Sequence, residues 1–426
     1  MPRSVRRSRS ALAASATVLI LTLARTDQAA PQAELDGVIF RAPQAAPQVE
    51  LGTVARRGDH FVAQLEGGGL AELTLVPALQ DAALEVLTTY KIPFGAAVAI
   101  SVPDGRVLAL AARSSVDPGL GPEDLAVRAW APAASVFKLV AASALLSDGH
   151  LTPETRVCYH GGNSAVLADN LMDLPVLDRR CDSLAYGVGK SQNAIIAKLA
   201  SRHLDPQALL TMATAFGFGA PIAFDAPVEP SAIDVPVDPL EFARAAAGFW
   251  HSSLSPLHGA LLAATVATGG EMPSPRLIEA AFDREGRPVP LPIRPGHRVL
   301  DPFVALEVRE MMSLTTRMGT ARNAFHDRRG RPYLPVTVAG KTGSLSYRGG
   351  PMDPPLPALD LTEEPYLAYN WFIGYAPADH PRIAFAVVIG NRAAWRIKAT
   401  FVARRMIAEY LASSEESRLA TSVAAR

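Results

Sequence analysis

Residues 136–146 read Val-Phe-Lys-Leu-Val-Ala-Ala-Ser-Ala-Leu-Leu, a helical run with no polar face. A helix that is apolar all round has no side to turn toward water, so it belongs in the middle of the fold with other layers built around it. Lys138 is the one exception, and a core helix has no structural use for an ammonium group. Ser135 lies three positions earlier, and residues i and i+3 share a helix face, so the amine can reach the serine hydroxyl. Burial disfavours the charged form of a lysine and lowers its pKa, which makes an amine a usable base near neutral pH. The pair reads as a nucleophile and its base, against the plainer reading of a lysine snorkelling from a helix end.

A Ser-x-x-Lys string arises by chance roughly once or twice in a chain of this length, so composition has to carry part of the argument. Of 41 Lys and Arg residues only six are lysines: Lys91, Lys138, Lys190, Lys198, Lys341 and Lys398. Where any cation serves, this chain uses arginine. Only Lys138 has a serine three residues before it.

The 426 residues are 49% hydrophobic, enough for a sizeable core in one large domain or two ordinary ones. A formal net charge of zero and a pI of about 7.1, with no long basic run outside the N-terminus, give no sign of a nucleic-acid binder. The first thirty residues differ from the rest. Arg3, Arg6, Arg7 and Arg9 precede a largely apolar run over 11–24, a charged region followed by a hydrophobic one too short for a comfortable membrane span. Residues 1–30 are therefore expected to be a signal peptide or an N-terminal anchor, which puts the body of the protein at the extracytoplasmic face of the inner membrane or in the periplasm. Export makes Cys158 and Cys181 interpretable: an even count in an oxidising compartment favours a disulfide, with two buried thiols as the alternative. No Cys/His spacing resembles a metal site, so no metal and no cofactor is expected.

Residues 31–70, rich in Ala, Pro, Gln and Gly, read as a tether with short irregular strands. An amphipathic helix over 77–90 precedes two apolar strands, 96–102 and 106–112, joined by Pro103-Asp104-Gly105. The Ser135 helix stops at Gly149. Residues 150–182 read as a polar, irregular insertion bracketed by the cysteines, which a disulfide would staple between two helices. Helices are expected over 191–199 and 206–216, after Ser255-Pro256, and from Asp301-Pro302 to about Thr316. Then the period changes: 336–344, 369–376 and 383–389 are strand-like, with a Pro-rich loop over 349–365, and an amphipathic helix closes the chain. Two early strands, middle helices, three late strands and a last helix describe an α+β fold, a mainly antiparallel sheet covered by helices, with one domain over 71–413 and a disordered tail over 414–426.

Two more strings carry polar chemistry. Ser191-Gln192-Asn193 follows Gly187-Val188-Gly189-Lys190; its plain reading is a helix N-cap. Lys341-Thr342-Gly343-Ser344 ends a strand and offers a cation, a hydroxyl, a residue without a side chain and a backbone N–H, a set suited to an extended peptide ending in a carboxylate; its plain reading is an edge strand protected by a lysine.

In order and spacing, Ser-x-x-Lys, then Ser-x-Asn, then Lys-Thr-Gly on a late strand resembles the signature set of penicillin-binding proteins and serine β-lactamases. Ser255-Pro256-Leu257-His258, Thr268-Gly269-Gly270, Gly319-Thr320-Ala321 and Trp371-Phe372-Ile373-Gly374-Tyr375 resemble the transpeptidase domain of the large penicillin-binding proteins, over roughly 70–412. The resemblance implies a five-stranded sheet with flanking helices and an all-helical subdomain. It implies that Ser135 is acylated by the D-alanyl-D-alanine end of a peptidoglycan stem peptide, that Lys138 takes its proton, and that Ser191 bridges Lys138 and Lys341. It further implies that Asn193 bonds the donor amide, that Lys341 and Thr342 hold the terminal carboxylate, that Gly343 lets substrate lie against the strand, and that the N–H groups of Ser135 and Ser344 form an oxyanion hole.

Peptidoglycan D,D-transpeptidase is thus the expected activity, binding stem peptides and β-lactams. D,D-carboxypeptidase, serine β-lactamase and a non-catalytic penicillin sensor or scaffold are the alternatives. A class A β-lactamase would need a Glu-x-x-x-Asn loop, and Glu229 is followed by Pro230-Ser231-Ala232-Ile233 instead. Large family members carry a glycosyltransferase domain or a pedestal; about 40 residues between the leader and the domain leave no room for either, so a separate glycosyltransferase or wall-synthesis complex is the expected partner.

Overall fold

The computed structural model describes residues 46–347, 367–392 and 395–424. The expected leader and the Pro-rich loop lie outside them. Five strands, all antiparallel, form the central sheet in the order Ala339–Tyr347, Leu367–Ala376, Ile383–Asn391, Phe94–Ser101, Val107–Ser114. The middle three are buried at every position, which an antiparallel sheet reaches only when both faces are covered. Alternate residues serve two cores. Val98, Trp371 and Val388 pack toward the helical side, and Ala99, Phe372 and Val387 toward the helices Pro77–Thr89 and Ala399–Ala424.

The helix Pro256–Ala267 lies against the first face with all twelve residues buried. Ser255 caps it by accepting from the His258 N–H, and Pro256 occupies the first turn, where a missing N–H costs nothing. The helix Lys138–Leu146, packed among the helices Pro206–Ala215, Asn193–His203 and Pro302–Arg317, has all nine residues buried, as its composition requires. Its first turn, Ala134–Phe137, is a 3-10 turn rather than α-helix.

Several elements differ from the sequence reading. The insertion over 150–182 contains a two-stranded ribbon, Arg156–Tyr159 with Arg180–Ser183, in which Cys158 faces Cys181 and the two are disulfide-bonded. The segment does lie between two helices, Lys138–Leu146 and Leu184–Gly189, but it is ordered as a ribbon and not irregular throughout; four-residue strands are too short to show a period. Within the expected tether, Ala55–Arg57, His60–Gln64 and Leu70–Leu73 form a sheet with Ile278–Phe282. That pairing joins residues some two hundred positions apart, which local pattern cannot reveal. The closing helix runs on to Ala424, past the boundary expected at 413, because no Gly or Pro interrupts it. Among the described residues no helix is long and apolar enough to cross a membrane.

Candidate active site

Three elements converge beside Ser135. The turn that carries it opens on Ala134 at φ 50°, a left-handed conformation that costs a residue with a Cβ on the order of 1 kcal/mol and is held by the packing around it. Lys138 points back along its own helix and is wholly buried. Its Nζ lies 2.7 Å from Ser135 Oγ, 2.7 Å from Asn193 Oδ1 and 2.5 Å from the Ala247 carbonyl at the end of the helix Pro239–Ala246. Burial holds its pKa well below the usual lysine value, and the neighbouring Lys341 pushes the same way. A neutral amine one hydrogen bond from a hydroxyl is a base in place.

Lys341 is also wholly buried, and burial brings its pKa down to about 7. Its Nζ donates to Ser191 Oγ at 2.9 Å and to the Thr342 carbonyl at 2.8 Å. Among the described residues neither Lys138 nor Lys341 has a carboxylate partner, so the protonated form of Lys341 could be paired by an anionic ligand.

Ser191 is not the helix cap. It sits at φ 56° between two helices, and Gln192 caps Asn193–His203 by accepting from the Ala194 N–H. The Ser191 hydroxyl is thus free to meet Lys341, while the hydrogen bonds of Lys138 go to other residues. Asn193, expected against a donor peptide, has both ends engaged by the chain: Oδ1 accepts from Lys138, and Nδ2 donates to the Asn163 carbonyl at 3.2 Å.

The edge strand brings Thr342 within 2.5 Å of Thr320, hydroxyl to hydroxyl, so the Gly319-Thr320-Ala321 string borders the site. Gly343 also has a packing reason to lack a side chain. A Cβ there would sit 3.2–3.3 Å from Trp371 Cβ, the Ala133 carbonyl and Val136 Cγ2, so its lack of a side chain lets the strand close onto the Ser135 turn.

Residue patterns did not reveal three participants. The Ala247 carbonyl is a backbone atom and leaves no trace in residue type. Asn163 lies in the insertion, where nothing marks it. Asn370 did leave a sign, as the only amide in the otherwise apolar strand Leu367–Ala376. It donates to Ser344 Oγ at 3.0 Å and accepts from the Ala399 N–H at 2.7 Å, which links the Lys341 strand to the start of the closing helix. Glu229 is occupied elsewhere, accepting from Arg128 Nε and from the Ala129 N–H.

A serine beside a buried amine at the start of a core helix, next to the edge of an antiparallel sheet with helices on both faces, defines the serine acyl-transfer class. The chain belongs to the penicillin-binding protein transpeptidase domain family, which it matches over residues 95–408. The protein called peptidoglycan D,D-transpeptidase PbpA in Mycobacterium tuberculosis is 26% identical over 371 residues, covering 78% of this chain and 69% of that one. Stage V sporulation protein D of Bacillus subtilis is 24% identical over 311 residues, covering 69% of this chain and 45% of that protein. Among solved structures, the imipenem acyl-enzyme complex of penicillin-binding protein A from M. tuberculosis superposes with a TM-score of 0.64 at 24% identity, over 81% of this chain and 80% of that one. A D,D-transpeptidase domain from Eggerthella lenta gives 0.62 at 22% identity, over 81% and 83%. These structural likenesses speak to the fold.

Proposed function

We propose that this chain is a peptidoglycan D,D-transpeptidase that works through an acyl-enzyme on Ser135 and is trapped by β-lactams in the same way. The observation that carries the reading is Lys138: a buried amine, driven toward its neutral form, 2.7 Å from the Ser135 hydroxyl. In the first step Lys138 takes the hydroxyl proton as Ser135 Oγ attacks the carbonyl of the penultimate D-alanine. The developing oxyanion lies between the N–H groups of Ser135 and Ser344. Lys341 and Thr342 hold the terminal carboxylate, and Ser191, bonded to Lys341, relays a proton to the departing D-alanine amine. In the second step an amine of a neighbouring stem peptide attacks the ester; water in its place gives the carboxypeptidase outcome. A β-lactamase needs an efficient deacylation base, and Glu229, the candidate by sequence position, is held against Arg128. The transpeptidase unit spans about 71–413. Residues 1–30 act as signal or anchor, which places the enzyme in the periplasm or at the outer face of the inner membrane, with a separate glycosyltransferase supplying glycan.

The test is intact mass after incubation with a labelled penicillin. A long-lived adduct in the native protein and none in Ser135→Ala supports the transpeptidase. Rapid release identifies a β-lactamase, and no adduct in the native protein removes the catalytic reading.

A further inference from the structure

The loop closed by the disulfide reaches the active site from outside. Its Asn163 carbonyl accepts from Asn193 Nδ2, and Asn163 Oδ1 accepts from Gln192 Nε2 at 2.9 Å. So close an approach depends on Gly162, at φ 71°. A Cβ there would fall 2.4 Å from Ala194 Cβ and 2.8 Å from the Ala194 nitrogen. The loop is anchored further along the same helix, where the wholly buried Lys198 donates to Asp178 Oδ2 at 2.7 Å and to the Cys158 carbonyl at 2.9 Å. His160 Nδ1 meets Asp178 Oδ1 at 2.5 Å, and the Cys158–Cys181 bond fastens the base of the loop.

An asparagine can present either end of its amide to a neighbour, and only its surroundings choose. A carbonyl accepts hydrogen bonds and donates none. Against the Asn163 carbonyl, therefore, only the NH2 end of Asn193 fits, which leaves Oδ1 facing Lys138. With the amide turned over, two oxygens would oppose each other and Lys138 would lose an acceptor.

We infer that this loop is a positioning element for acyl transfer: through Gly162 and Asn163 it selects the Asn193 orientation that holds Lys138 beside Ser135. Asn163 touches no reacting atom and is a positioning residue. The inference rests on reading Lys138 as the base, and it ties the rate of acylation to a disulfide outside the three polar strings.

The test uses the full chain with carbon-13-labelled lysine. With only six lysines the spectrum is sparse, and Lys138→Met assigns the Lys138 signal. Four samples are titrated: native, native with the disulfide reduced, Gly162→Ala, and Gly286→Ala. The last carries left-handed strain at φ 77° with nothing within 4 Å of a Cβ, and so controls for strain alone. The expected result is a Lys138 midpoint displaced by at least about half a pH unit, with acylation by penicillin about tenfold slower, in Gly162→Ala and in the reduced protein but not in Gly286→Ala. A midpoint unmoved in both, or moved equally in Gly286→Ala, overturns the inference. If Gly162→Ala does not fold, the reduced protein decides. Because the titration needs no penicillin, it judges the positioning even if Ser135 proves not to be acylated, which would overturn only the functional reading.

Discussion

Two wholly buried lysines with no carboxylate partner among the described residues are the unusual feature at the scale of single residues, and each has a stability consequence as well as a chemical one. Lys341 has a folded pKa of about 7, against 10.5 when exposed. Between those values the unfolded chain holds a proton that the native protein does not, so the stability linked to this group rises with pH across the window and is lost as pH falls toward 7. Lys341→Met removes the titration. In denaturant unfolding measured from pH 7 to 10, the native protein is expected to gain stability with pH more steeply than the variant; parallel curves would show that Lys341 keeps an ordinary pKa in the fold. Lys138 stood out by residue type, a scarce amine in an apolar run, and Lys341 by its place in the ordered set of three polar strings. The Ala247 carbonyl and Asn163 had no such sign, since any residue supplies a carbonyl.

Asn370 shows what an element contributes beyond its residues. The strand Leu367–Ala376 lies between the edge strand of the site and the rest of the sheet, and its one amide connects Ser344 to the Ala399 N–H at the start of the closing helix. Asn370→Leu keeps the branched outline of the side chain but leaves that buried N–H unpaired, at a cost of about 1–3 kcal/mol. Acylation is expected to slow by about tenfold with noncovalent penicillin affinity little changed. Ser344→Ala added to Asn370→Leu should cost nothing further if the two act through one contact; additive losses would separate them. The strands and helices themselves were largely legible. Pro256 and Pro302 mark helix starts, and apolar runs mark the sheet. The ribbon Arg156–Tyr159 with Arg180–Ser183 was not, because its register is set by a partner strand twenty-odd residues away.

Across the whole molecule the central sheet separates two cores, and the site belongs to one of them. Phe385, buried in the other core against Phe372, lies on the face away from Ser135. Phe385→Ala is expected to destabilise the fold by about 3–5 kcal/mol. The fraction still folded should acylate at the native rate, as read by chemical denaturation alongside adduct formation; a slower folded fraction would mean that the far core reaches the site. By itself the sequence determined the apolar helix that must lie at the centre, the order of the central-sheet strands and the main helices, and three polar strings whose residue types suit acyl transfer. These depend on local period and composition, which a chain carries without reference to its fold. Only the tertiary structure decided which atoms meet: that Asn193 turns its oxygen to Lys138, that Gly343 faces inward, and that a disulfide-closed loop rests on the Asn193 helix. Those contacts join residues far apart in the chain, and packing across the sheet and between helices is what brings them within hydrogen-bond reach.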